Sequence, residues 1–357
     1  MQHEETPGRY RVQLEYQRFI GRKIAFIGGS LLLLIVLIGV AATIGSADIS
    51  IGDAYAAMLS WAFPEIVEAD ELAVTIVFGL RLHRILFAVA AGFGLALCGA
   101  VMQGILRNPL ASPFTLGISS AATFGASLAI VLGLGLLADE HLIIGNAFLF
   151  SLLAAFGIYG LARQKGMTAG TMVLAGILLM YLFSAMTSFL QYLGTSEQVY
   201  EVVFWTFGSL SRTTWEKLAV VAAIVGVCTP FVIWRSWDIN AMCEGDEVAK
   251  SLGVTVDRVR TVMMILTSLM TAAIVCFTGT IGFIGLVAPH ITRLAIGGDH
   301  RFLLPASGIV GAVILLGADC AARTLLPGQV IPVGIMTAFI GIPFFGYLFM
   351  RRGRDYW

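Results

Sequence analysis

Charge is what this chain has least of. Asp, Glu, Lys and Arg make up 12% of its 357 residues, against ~25% in a soluble globular chain. A soluble fold of this size cannot cover its surface with so few. The charges that exist cancel, 22 basic against 22 acidic, so no bulk basic field invites a nucleic acid. The five cysteines, Cys98, Cys228, Cys243, Cys276 and Cys320, show no paired spacing, which excludes a disulfide framework and a zinc knuckle. No GxxxxGK[ST] occurs, and none of Lys23, Lys165, Lys217 and Lys250 follows a glycine, so the chain is not its own P-loop ATPase. There is no HExxH, no paired His/Cys site and no Ser/His/Asp grouping. The sequence therefore offers no catalytic residue, no metal site and no cofactor of its own. His290 stands alone in an apolar run, where a hydrogen-bonded or pore-lining histidine is the better reading than a ligand.

Apolar length is what abounds. AVILMFWYC reach 58%, mean hydropathy is +0.89, and 40 glycines suit close helix packing in lipid. A spanning helix needs ~20 apolar residues. Trimming the charge-free stretches at Pro and Gly predicts ten helices: 24–47, 85–106, 114–137, 142–162, 171–193, 218–234, 261–278, 281–296, 305–322 and 331–350. The seventh and eighth come from one stretch too long for a single helix, divided at the glycines of 277–285. The first, 24 residues long, exceeds a signal-peptide core of ~7–15 and reads as a retained helix. The fold class expected is all-α, a single polytopic membrane domain over 1–357.

Orientation follows from the basic residues. An inner N-terminus places seventeen Lys and Arg inside and leaves Arg81, Arg84, Arg212, Lys217 and Arg323 outside. Both termini are then cytoplasmic, with 1–23 as an N-terminal segment. Two polar stretches remain. The outer one, 48–83, carries Asp48, Asp53, Glu65, Glu68, Asp70 and Glu71 and is expected to hold a short helix lying on the membrane. The inner one, 235–260, is the longest polar stretch between inner helix ends. A Pro-containing polar turn followed by a small-residue helix occurs at 107–127 and again at 298–313. A transporter repeat and the chance likeness of two helical hairpins both account for it.

Ionisable groups inside spans mark ion-coupled transport. Here only Asp319 lies clearly within one, with Arg323 four residues on and on the same helix face, which reads as a neutralised pair. An ion-coupled secondary carrier is disfavoured for want of membrane carboxylates, and an intramembrane enzyme for want of a catalytic grouping. The chain reads as a passive conduit driven from elsewhere.

Four blocks carry a resemblance. They are RLHRILFAVAAGFGLALCGAVMQGILRNPLASPFTLGISSAATFGA (81–126), the stretch 173–216, EGDEVAKSLGV (244–254) and GTIGFIGLVAPHITRLAIGGDHRFLLPASG at the head of 279–349. Together they resemble the FecCD-type permeases, the membrane subunits of binding-protein-dependent ABC importers for iron–siderophore complexes, haem and cobalamin. His83 stands where that family usually has proline. The resemblance implies a ten-helix, type II importer permease in the cell (inner) membrane, working as a homodimer. It also implies two ATPase subunits carrying ATP and Mg, and a soluble or lipidated binding protein. An iron(III)–siderophore chelate is the favoured cargo, with cobalamin or haem as alternatives.

The resemblance also assigns roles. Glu244, Gly245, Asp246, Val248, Ala249, Leu252 and Gly253 match the loop that couples to the ATPase. Here Asp246 is placed to cap a short helix, Val248, Ala249 and Leu252 to form its apolar face, and Gly253 to end it in the left-handed region. Asn108 and Leu110 match an inner gate, opposed by the turn MTAG (167–170). Arg81, Arg84 and Arg323 match arginines that meet acidic residues of the binding protein. Small residues recur at Gly117, Ser119, Ser120, Gly125, Gly176, Ser184, Ser188, Gly334 and Gly341. Packing explains most of them, and spacing does not say which line the pathway.

Overall fold

The structure, a computed structural model, describes residues 7–45, 49–63, 65, 67, 69–135, 137, 141–326 and 328–350. Asp48 and Glu68 lie outside the described residues, as do Arg351, Arg352, Arg354 and the two ends whose cytoplasmic placement was expected. Among the described residues all regular structure is helical. In chain order the helices are α1 (Pro7–Thr43), α2 (Ile51–Ala62) and α3 (Glu71–Ile76). A π-helical turn (Val77–Arg81) joins α3 to α4 (Leu82–Leu106). Next come α5 (Ile118–Leu132), α6 (Leu142–Lys165), α7 (Ala169–Leu193), α8 (Ser196–Thr206) and α9 (Trp215–Trp234). Then follow α10 (Ser236–Cys243), α11 (Asp246–Ser251), α12 (Val256–Thr278), α13 (Ile284–Ile296), α14 (His300–Thr324) and α15 (Val333–Met350).

Seven segments are long and apolar enough to span: Ile20–Thr43, Glu71–Leu106, α6, α7, α9, α12 and α14. The shorter apolar helices α5, α13 and α15 complete the ten stretches that hydropathy marks out. Burial sorts them into layers. The α3–α4 segment is 78% buried over its apolar window and α1 only 17%, so α4 is the central post and α1 lies at the edge of the bundle. Around α4 stand α12, α13 and α14, with α9 behind. Close approach of α4 and α14 rests on glycine. A Cβ added at Gly92 would meet the backbone of Gly311 and Ala312. Gly92→Leu is therefore expected to cost more than the ~1–3 kcal/mol usual for overpacking, because the obstacle is backbone and cannot rotate away. Thermal unfolding in detergent checks this, and an unchanged melting point would place the helices further apart.

The long stretch does break where glycine predicts. α12 ends at Thr278, Gly279 takes φ 72°, and the chain stays irregular until Phe283, itself at φ 67°. Non-helical backbone at membrane depth survives only where protein satisfies it. Ser209 N, just past α8, donates to Thr278 O at 2.7 Å, and Thr280 Oγ1 donates to Thr206 O, so the break and the end of α8 satisfy one another.

One helix is shorter than expected, the segment 48–83 holds its expected short helix and one more, and one helix lies where hydropathy marks none. The helix expected at 114–137 runs only 118–132, since Ser112 and Thr115 lock a hydroxyl turn and Gly117 (φ 80°) and Gly133 (φ 64°) bound the helix. The outer segment holds two helices, each with its own cap: Ser50 accepts from Asp53 N and Asp70 from Ala73 N. Helix α8 was not foreseen, although Thr195 and Gln198 form a reciprocal capping box. Gln198 Nε2 also donates to Ile130 O and Val131 O, carbonyls left open at the end of α5.

Candidate coupling loop, inner gate and outer charge cluster

The inner loop builds a two-helix bracket. Gly245, at φ 120°, breaks α10 from α11. Val254 N donates to Ala249 O and Gly253 N to Lys250 O, with Gly253 at φ 86°, so α11 closes in a Schellman turn. The six-residue helix points Ala249 inward, fully buried, and turns Val248 (46% exposed) and Leu252 (67% exposed) outward. Glu244 and Glu247 are exposed beside them, and Glu247 pairs with Lys250 at 2.9 Å, holding that ammonium above its ordinary pKa. Val248 and Leu252 thus form a small exposed apolar pair on an otherwise polar bracket. Asp246 does not cap α11 as expected. It is the first helical residue, and its carboxylate accepts from Arg260 Nη2 at 2.8 Å, with Arg107 3.9 Å away.

The bracket has a second anchor. Asn240 on α10 donates to Asp299 and accepts from the backbone N–H of His300 at 2.8 Å, tying α10 to the start of α14. Arg301 holds the Asp299 carboxyl well below its usual range, and Lys23 of α1 lies 3.6 Å away. A depressed carboxylate contributes stability above its ordinary pKa and loses it only as pH falls below, so this anchor persists through mild acid.

Beside the bracket lie the expected gate turns. Arg107 ends α4 in the left-handed region (φ 46°), and Asn108 Oδ1 accepts from Leu110 N, leaving Leu110 54% exposed. Thr168 begins α7 by accepting from Thr171 N. The two turns share one shallow, open cavity of about 280 Å³, whose wall includes Leu106, Asn108, Ala169 and Gly170. His290 is not alone: its Nε2 lies 3.0 Å from Pro109 O and its ring stands edge-on to Phe345, so it braces the gate turn. Arg260 was missed entirely; nothing in VDRVR separates it from a loop arginine.

At the opposite end, Asp319 is fully buried and Arg323 Nε lies 3.1 Å from it. The partner that sequence does not reveal is Arg84, whose Nε and Nη2 approach Asp319 at 3.1 and 2.7 Å across 235 residues. The same cluster closes α1. Arg81 Nη1 donates to Ala42 O at 2.6 Å and Arg323 Nη1 to Ile44 O at 2.9 Å, cations set against a helix carboxyl end. The arginines expected to meet a binding protein, Arg81, Arg84 and Arg323, are thus gathered at one place in the fold, with side chains turned mostly inward: Arg81 is 6% exposed, Arg323 9% and Arg84 14%. His83, in the proline position, instead meets Thr213 Oγ1 at 3.3 Å.

Of the small residues, Ser119, Ser120 and Ser184 join Thr123, Thr187 and Thr280 in a cavity of about 220 Å³. Gly125, Gly176, Gly334 and Gly341 instead admit close neighbours, Gly176 the backbone of Leu116 and Gly341 the ring of Phe283.

This arrangement agrees with the comparisons to known proteins. The model of the FecCD transport family matches residues 31–351. A cobalamin import system permease of Halobacterium salinarum is 39% identical over 84% of this chain and 78% of its own. A molybdate import system permease of Haemophilus influenzae is 35% identical over 93% and 96%. Other relatives are named for haemin and for iron(3+)-hydroxamate. A solved structure assigned to the metal-chelate type of ABC transporter, in an inward-facing conformation, aligns with TM-score 0.80 at 32% identity, covering 91% of this chain and 99% of that one.

Proposed function

Because this chain belongs to the FecCD transport family and is a multi-pass ABC importer permease rather than an enzyme, we propose that it carries an iron(III)–siderophore-type chelate inward. In this reading two copies form the conduit, two ATPase subunits sit on the α10–α11 bracket, and a binding protein delivers cargo at the outer end. ATP binding on the partners shifts the permease between outward- and inward-open states.

One observation carries the cargo class. The cavity walled by Phe114, Ser119, Ser120, Thr123, Ser184, Thr187, Gln191, Thr206 and Thr280 holds hydroxyls, an amide and one aromatic ring, but no ionised side chain and no thiol or imidazole. Such a wall offers hydrogen bonds without competing for a metal. That suits a bulky, oxygen-decorated chelate whose coordination sphere is already complete. Cobalamin and haem share this property and are the second reading, supported by the relatives named for them.

The test is a thermal-shift screen of the cognate binding protein against ferric hydroxamate, ferric citrate, haem, cobalamin and molybdate. A ferric chelate should give the largest shift. A shift with molybdate alone, a bare oxyanion, would overturn the chelate class, and one with cobalamin or haem alone would select the second reading.

A further inference from the structure

We propose that Arg260 is the positioning residue that ties the coupling bracket to both inner gate turns at once. The inference rests on the docking role proposed above for α10–α11. Arg260 lies in the second turn of α12 with no exposed surface. Its planar guanidinium divides among three separate segments. Nε donates to Ile105 O at 3.1 Å, in the last turn of α4 just before the Arg107–Pro113 turn. Nη1 donates to Met167 O at 2.7 Å, in the opposing turn just before α7. Nη2 donates to Asp246 at 2.8 Å, the residue that opens α11.

The chemistry makes this a linkage rather than three separate bonds. A guanidinium holds its donors in a fixed fork, so the three acceptors are set at fixed positions relative to one another. Asp246, 23% exposed, supplies the nearest carboxylate to a cation that water does not reach; Asp257 is 4.0 Å away and mostly exposed. A shift of α11 that carries Asp246 outward removes that counter-charge. A buried, uncompensated guanidinium is costly, so the fork must follow Asp246 or let it go. Either response changes how the Ile105 and Met167 carbonyls are held, and each lies three residues before a turn residue, Asn108 or Gly170, that lines the shared cavity. The position of α11 therefore sets the position of both turns together. Arg107, also drawn toward Asp246, adds a second strand to the same link on the α4 side.

The test uses the permease assembled with its ATPase subunit in nanodiscs, comparing hydrogen exchange with and without ATP–vanadate. In the native complex, segments 244–253, 105–113 and 166–172 should change protection together. Arg260→Lys keeps a cation beside Asp246 but cannot reach three acceptors. Asp246→Asn removes only the charge at the more exposed end, and carries the test should the lysine variant fold poorly. Arg260→Lys should keep the change at 244–253 and lose it at the two gate turns, and Asp246→Asn, compared with the native protein at the same ATPase occupancy, should lose it at the gate turns. Gate turns that respond in both variants as in the native protein would overturn the linkage and leave Arg260 a static brace. A native complex that responds at 244–253 without the gates would overturn this inference alone. No response at 244–253 would overturn the docking reading and this inference with it.

Discussion

Asp319→Asn is expected to destabilise the protein by about 3 kcal/mol, because it leaves two largely buried guanidinium groups without their carboxylate. Arg84 and Arg323 both lean on that single carboxylate, which is wholly buried. The pair read from sequence spacing predicts that neutralising Arg323 as well restores stability. The structure predicts only partial recovery in Asp319→Asn with Arg323→Gln, since Arg84 remains without its partner. Arg323→Gln also releases Ile44 O at the end of α1, so some of the loss is not electrostatic. The combination Asp319→Asn, Arg84→Gln and Arg323→Gln should recover most of the remaining difference. Thermal unfolding in detergent, run as a mutant cycle, measures the coupling. Simple additivity across the cycle would mean the three groups do not act together.

Leu252→Asp is the second large effect. Leu252 is 67% exposed at the C-terminal cap of a six-residue helix that is otherwise well fastened, with Ala249 fully buried. If an ATPase subunit covers it, a carboxylate there must be desolvated without a partner. A cost of at least ~3 kcal/mol corresponds to more than a hundredfold weaker association. The permease should insert and melt as the native protein does, yet no longer co-purify with its ATPase. Val248→Asp, on the same outward face, should behave alike, whereas Ser251→Asp should matter less if that residue sits at the rim. Co-purification of Leu252→Asp at the native level would show that the bracket is merely solvated.

Much of this was legible in the chain because membrane helices are written in long local runs. Ten apolar stretches, the break at 277–285, the glycines bounding α11 and the pairing of Asp319 with Arg323 all depend on neighbours within a few residues. Lipid enforces that locality, since each helix must satisfy its own backbone. Short polar helices escape the same reading. α8 announces itself only through Thr195 and Gln198, a capping signature among residues that look like a loop.

What sequence by itself determined, then, is the class of molecule, the order of the ten apolar helices and the position of the polar stretch that holds α10 and α11. What only the tertiary structure decided is which polar groups meet. Arg84 joins Asp319 across 235 positions, Arg260 reaches Ile105 across 155, and Asn240 finds His300 across 60. An arginine at a helix end reads alike whether it steers a partner, caps a neighbouring helix or neutralises a buried acid. Burial separates these roles. It is set by the packing of α1, α4, α12 and α14 around one another, which no local pattern of charge or hydropathy records.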